Sequence, residues 1–343
     1  MNRNRHTINL SFPVLAAAAI LALMIVHPLR AEDKPEQIVI GFQVIPNGEI
    51  IAKDMKWQEE TLGVPVKWVQ IDSGRDMNTA MAAGSVDIGL VGTSPVATGI
   101  AQKIPYEVIW IHDVIGDNEA LAARKGSGIE KVQDLAGKKV AAPFGSTTHY
   151  HLLTALALAH VKPGQVKILD MQPQAMLAAW QRGDIDAGFV WEPTLAKMVE
   201  SGGKIVIASR QLAEQGYLTG DICAVRRDFA KKYPALVVKY LKNLVKAVEY
   251  YRSDPEKASE CVARQFGIPQ PEALRQMNTL IMLSGKEQLT MDYLGTASDK
   301  GKLAQVLKKS ADFLVSQKLI KSAPGLPVFV GAINPSYIEE AVK

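Results

Sequence analysis

Gly84-Ser-Val-Asp-Ile-Gly-Leu-Val91 returns later in the chain as Gly183-Asp-Ile-Asp-Ala-Gly-Phe-Val190. The echo extends upstream. Val66-Lys-Trp-Val-Gln-Ile-Asp72 corresponds to Val166-Lys-Ile-Leu-Asp-Met-Gln172, and Ile38-Val-Ile-Gly-Phe42 to Lys139-Val-Ala-Ala-Pro143. A strand, helix, strand, helix, strand plan is therefore written twice. Each copy ends in a short polar loop, Gly92-Thr-Ser-Pro95 in the first and Trp191-Glu-Pro-Thr194 in the second. Ligands of open α/β sheets bind beyond the carboxyl ends of the strands, so two such lobes facing each other predict a cleft that holds a ligand.

The first 31 residues read as an address rather than as fold. Arg3 and Arg5 precede an apolar run from Leu10 to Val26, and Leu29-Arg30-Ala31 offers a small residue for cleavage before Glu32-Asp33. The reading is a cleaved secretory signal peptide and a periplasmic destination; an uncleaved anchor is the alternative. Removing this segment takes away three Arg and no acid, so Lys+Arg falls from 39 to 36 against 35 Asp+Glu and the net charge from +4 to +1. Nothing in that balance calls for nucleic acid or an anionic membrane surface. The only cysteines are Cys223 and Cys261, which either pair or lie separately buried.

Along the chain, strands are expected at 38–42, 66–71, 86–91 and 106–112, with helices at about 48–61 and 75–83. Gly84 caps the second of these, and Ser94-Pro95 opens a third with a hydroxyl cap followed by Pro. Residues 119–124 are expected to cross into a second lobe, which repeats the plan with a helix over 146–160. Residues 221–226 make a return strand. Val237, Leu241, Leu244, Val248 and Tyr251 then form the apolar stripe of a long helix, with a further helix over 301–317, and both are expected to pack on the first lobe. The expected division is 1–31 signal peptide, 32–122 lobe 1, 123–222 lobe 2, and 223–343 the rest of lobe 1 with the C-terminal helices.

Gly145-Ser-Thr-Thr-His-Tyr150 follows a strand and opens a helix, where unpaired backbone N–H groups and the helix dipole favour an anion. Alone, Ser146 would be an ordinary cap. Thr93-Ser94-Pro95 is a second hydroxyl-rich helix start on the matching face of the other lobe, and two convergent starts predict an oxyanion site. Trp191 at the equivalent strand end can close over a small ligand and attract an ammonium through its ring face, and Asp221 is the candidate counter-charge. Trp57, Trp68, Trp110 and Trp180 read as core or half-buried aromatics.

Catalysis and metal binding find little support. Ser146 and His149 are close in sequence but have no third orienting group. His149 and His151, two apart on a helix, point to different faces, and the glycines of 84–92 match no nucleotide fingerprint. No cofactor is expected.

Ile71-Asp-Ser-Gly74, Gly92-Thr-Ser-Pro95, Ser146-Thr-Thr-His-Tyr150, Ala179-Trp-Gln-Arg-Gly-Asp-Ile-Asp186, Val190-Trp191 and Val225-Arg-Arg-Asp-Phe229 together resemble the taurine branch of the sulfonate, nitrate and taurine substrate-binding family of ABC importers. The resemblance runs from about Gln37 to Phe313. It implies an α/β, two-lobed type II periplasmic binding fold, each lobe a mostly parallel sheet flanked by helices. It also implies a monomer that delivers taurine or a close aminosulfonate to a membrane permease. Carried over residue by residue, it implies that Thr93, Ser94, Ser146, Thr147 and Thr148 hold the sulfonate. Trp191 and Asp221 stand at the ammonium end, and Gln43 and Asn47 line the first-lobe wall. One departure is Glu192, where the family carries a small residue. It either enters the cleft as a second negative charge or points outward as a surface acid, and the second is the expectation adopted. Receptors for alkanesulfonates, aminoalkylphosphonates or nitrate are the alternatives of the same class. A pyrimidine-synthase-like enzyme would need a Cys-rich iron-binding segment that two isolated cysteines do not supply.

Overall fold

The computed structural model describes residues 34–343, and the signal peptide expected over 1–31 lies outside them. The first sheet is built from β1 (Ile38–Phe42), β2 (Val66–Gln70), β3 (Ile88–Gly92), β4 (Tyr106–Val114) and β10 (Gly220–Arg226), in the order β2-β1-β3-β10-β4. The second is built from β5 (Glu119–Ala123), β6 (Lys139–Ala142), β7 (Lys167–Asp170), β8 (Ala187–Trp191) and β9 (Lys204–Ala208), in the order β7-β6-β8-β5-β9. The two orders are the same pattern. β10 runs antiparallel to β3 and β4, and β5 runs antiparallel to β8 and β9, so each sheet has four strands in one direction and one reversed. Each reversed strand is supplied from outside the repeat it completes.

The repeated residues do repeated work. Asp87 Oδ2 accepts the Val39 amide at 2.8 Å and Asp186 Oδ2 accepts the Lys139 amide at 2.9 Å, so each Asp ties the start of its strand to the neighbouring parallel strand. Gly84 and Gly183, at φ 72° and 78°, close the preceding helices in the left-handed conformation that glycine adopts without strain. A Cβ on Gly89 would lie 2.6 Å from the sulfur of Met77, and one on Gly188 would lie 2.7 Å from that of Met176. In both lobes a methionine from the preceding helix fills the space that glycine leaves.

Three sequence expectations change. Residues 119–123 are not a crossover but the reversed strand of the second sheet, between β8 and β9; its Ala-rich run carries little strand propensity, which hid it. The helix expected over 48–61 breaks into Gly48–Asp54 and Trp57–Leu62 at Lys56, whose φ of 55° is left-handed. Ser94 does not cap its helix: Thr93–Ala101 starts two residues earlier than expected, with Gly92 as the cap.

The helices Pro234–Ser253 and Leu303–Ser316 pack on the first sheet's layer, with Val237, Leu241, Leu244, Val248, Leu303 and Leu307 in its core. The second sheet has an apolar cluster on each face, one around Met176, Trp180 and Met198 and the other around Leu121, Leu152 and Phe189. Ile45 and Leu90 join the former, which brings the two lobes into contact. Cys223 and Cys261 are both buried as free thiols. Trp57, Trp110 and Trp180 are buried and Trp68 half-buried, as the sequence suggested.

Candidate ligand-binding site

The carboxyl ends of the two sheets face one another across a narrow cleft. Its cavity measures about 10 Å³, so a ligand of several heavy atoms requires the walls to part. The lobes are drawn together at the rim. Gln172 Nε2 donates to Ser73 Oγ and Asp76 Oδ2, both at 3.2 Å, and Arg75 pairs with Asp170 at 2.8 Å.

Two helix starts meet inside. Ser146 caps the helix Thr147–Leu158: its Oγ accepts the His149 amide at 3.1 Å and donates to the Pro143 carbonyl at 2.6 Å. A Cβ on Gly92, which precedes the helix Thr93–Ala101, would lie 2.7 Å from Thr147 Cγ2. Nothing larger than glycine therefore fits where the two helices approach. Gly74 is as confined, since its Cβ would sit 2.4 Å from Pro95 Cγ.

Of the sequence-derived candidates, Gln43, Ser146, Thr147, Trp191 and Asp221 line the cavity. Gln43 is fixed by donating to the Leu90 carbonyl at 3.1 Å. Thr93, Ser94, Thr148 and Asn47 are buried outside the lining. Thr93 Oγ1 accepts the Gly220 amide at 3.3 Å, and Thr148 Oγ1 lies 2.8 Å from Ser146 Oγ. Asn47 caps the helix Gly48–Asp54 through its Oδ1 and donates to Asp113 Oδ2 at 3.2 Å. Ser94 Oγ is buried without a partner, the kind of orphan that a ligand can satisfy.

Glu192 is neither of the things the sequence suggested. It is 2 % exposed, which rules out a surface acid, and its carboxylate faces away from the cavity. Oε2 accepts the Ala196 amide at 2.8 Å, and Oε1 accepts from Arg275 at 2.9 Å. Burial raises its pKa and the Arg275 guanidinium opposes that rise.

Sequence reasoning missed two acids. Glu119 lines the cavity, opposite Trp191 in the β5–β8 ladder, with Oε1 accepting from Thr147 Oγ1 at 2.6 Å and Oε2 from Ser209 Oγ at 3.5 Å. Asp113 stands opposite Asp221 in the β4–β10 ladder, fully buried, with Oδ1 unpartnered. Burial pushes Asp221 up to about 7. It raises Glu119 and Asp113 well above the carboxylate range, and the charge of Asp221 adds to both shifts. The signal in sequence was an acid at or next to the end of each of two mostly apolar runs, Val108–Val114 and Glu119–Ala123. Among the described residues no Lys or Arg lines this cavity. The lining thus sets carboxyls beside helix N-termini, Glu119 bonded to Thr147 at one helix start and Asp221 the ladder partner of Gly92 at the other, so it can hold an anion and a cation side by side.

Residues 47–258 match the NMT1/THI5-like family. The chain belongs to that family. The matched span includes every cavity-lining residue except Gln43 and Ile45. The taurine-binding periplasmic protein of Escherichia coli (strain K12) is 34% identical over 310 residues, covering 89% of this chain and 91% of that protein. Among solved structures, the alkanesulfonate-binding protein of Xanthomonas axonopodis pv. citri bound to MOPS superposes with a TM-score of 0.72 at 21% identity, covering 88% and 98% of the two chains. A desulfurization enzyme superposes with a TM-score of 0.63 at 14% identity, covering 90% and 99%. These two likenesses establish the two-lobed α/β fold. The fold alone does not separate binding from chemistry.

Proposed function

We propose that this NMT1/THI5-like chain is the substrate-binding protein of an ABC importer, which captures taurine or a closely related aminosulfonate in the periplasm and delivers it to a membrane permease. The observation that carries the reading is the mixed lining of the cleft: two helix N-termini, with the carboxyls of Glu119 and Asp221 beside them. An aminosulfonate is a short zwitterion of matching shape. Its sulfonate is ionised at every physiological pH and is balanced by hydroxyls and backbone N–H groups without a buried base. Its ammonium supplies the charge that the two facing carboxylates lack.

The same acids argue against nitrate and simple alkanesulfonates, which bring no cation to a pair of buried carboxylates. The helix start at Ser146 argues against a Ser–His nucleophile. The Ser146 hydroxyl donates to a backbone carbonyl rather than to a base, and His149 is stacked on Phe144 with ring centroids 4.4 Å apart. The identity to a taurine-binding relative over nine-tenths of the chain supports the choice of ligand. Glu192 is a structural residue in this reading, and Glu119 takes its place in the amine site.

Calorimetry on the mature chain decides it: one taurine per monomer is expected, with ethanesulfonate far weaker at neutral pH. No heat from any short sulfonate, with or without an amine, would sink the proposal.

A further inference from the structure

Glu119 and Asp221 line the cleft and Asp113 stands behind them, opposite Asp221, so the three acids gather from three strands belonging to both sheets. The helix Gly48–Asp54 brings Asn47, which donates to Asp113, and Glu49, whose carboxyl is taken by the Tyr240 hydroxyl at 2.5 Å. The helix Thr147–Leu158 brings Thr147, with His149 stacked on Phe144 and His151 bonded to Ser209 and the Tyr217 carbonyl. His112, beside Asp113 in β4, is buried. Burial holds His112 near 3 and His149 and His151 near 4, so all three are neutral from mildly acid to alkaline pH. The nearby bases are engaged elsewhere: Arg75 with Asp170, Arg210 with Asp117, and Arg275 with Glu192 and Glu272. Beyond the hydrogen bonds from Asn47, Thr147 and Ser209, the three acids therefore have one another, and a ligand, to settle their charge.

Closing the lobes on this cluster without a cation requires protons, because like charges buried side by side do not all ionise. Closing them on an ammonium does not. We propose that protonation of the Asp113–Asp221–Glu119 cluster switches the cleft between two ligand classes, aminosulfonates when the cluster is ionised and sulfonates without an amine when it carries protons. This rests on the aminosulfonate reading of the same cleft. Asp113 touches no ligand in this scheme. It is a positioning residue that sets the pH of the switch through its neighbours.

The test is isothermal calorimetry with taurine and ethanesulfonate from about pH 5 to about pH 8, a range over which neither ligand changes charge, so any pH dependence belongs to the protein. Taurine is expected to weaken and ethanesulfonate to tighten as the pH falls. The ratio of their affinities should change by about tenfold or more across the range. In Asp113→Asn the midpoint of that change should move to lower pH, because removing one negative neighbour lets the other two ionise more readily. A merely structural Asp113 would weaken both ligands together and leave the midpoint in place. A ratio constant within about twofold across the range overturns the switch, and if taurine is preferred throughout, the aminosulfonate reading stands without it. Binding of neither ligand at any pH overturns both.

Discussion

At the scale of single residues, the site combines candidates legible in sequence with acids that were not. Ser146, Thr147 and Trp191 stand where strand ends and helix starts had to put them. Asp221 was reached because it lies on the return strand. Glu119 was not, because an Ala-rich stretch reads as a connection until a second sheet is seen to close around it. Glu192 shows the opposite failure. A departure from a family pattern suggested a role in the cleft or an indifferent place on the surface, and the side chain turned out to be buried against Arg275. Asp221→Asn is expected to weaken taurine by about 2 to 5 kcal/mol while changing ethanesulfonate at neutral pH much less, since only the first loses a buried counter-charge. Titration calorimetry of both ligands checks this. Glu192→Ala should leave the ranking of sulfonates unchanged and lower stability by about 1 to 3 kcal/mol, because it strips a buried amide and a guanidinium of their acceptor. Arg275 is half exposed and recovers part of that loss from water, which places the effect in the lower half of the range. A denaturant melt reads it directly.

At the scale of elements, the doubled strand–helix plan was legible because each copy carries the same structural residues: an Asp that ties two strands, a Gly that ends a helix, and a Gly that admits a Met. What the pattern could not show was how closely two helix starts approach, since that distance belongs to the closed pair of lobes and to neither alone. Gly92 marks it. In Gly92→Ala the added methyl meets Thr147 within van der Waals distance. The variant should therefore remain folded with a melting temperature near that of the parent, yet bind taurine at least tenfold more weakly and scatter as a more open particle with ligand present. Small-angle scattering with and without taurine separates this from a general loss of structure.

For the whole molecule, buried acids set the response to pH. Asp221 is held up to about 7, and Glu49, buried beneath Tyr240, to about 8. Groups whose folded pKa is raised bind more protons folded than unfolded. Their contribution is therefore greatest below the ordinary carboxylate range and is lost as the pH rises through the folded values. The ligand-free protein should become less stable from about pH 5 to about pH 8, and Asp113→Asn should lose less over that interval. Thermal melts of both proteins across the range test it, and equal slopes would remove the buried acids from the account. Saturating taurine should flatten the wild-type slope, because an ammonium replaces the missing protons.

The reversed strands also impose an order in time. During synthesis from the amino terminus, every strand of the second sheet has emerged by Ala208, whereas the first still has a gap between β3 and β4 that only Gly220–Arg226 can fill. The half of the protein that is made first is thus the half that is finished last. Chains cut after residue 214 should protect residues 119–208 from protease and leave residues 34–114 open to it. A polypeptide whose leading segment cannot close until its trailing segment arrives stays threadable for most of its passage through a narrow channel.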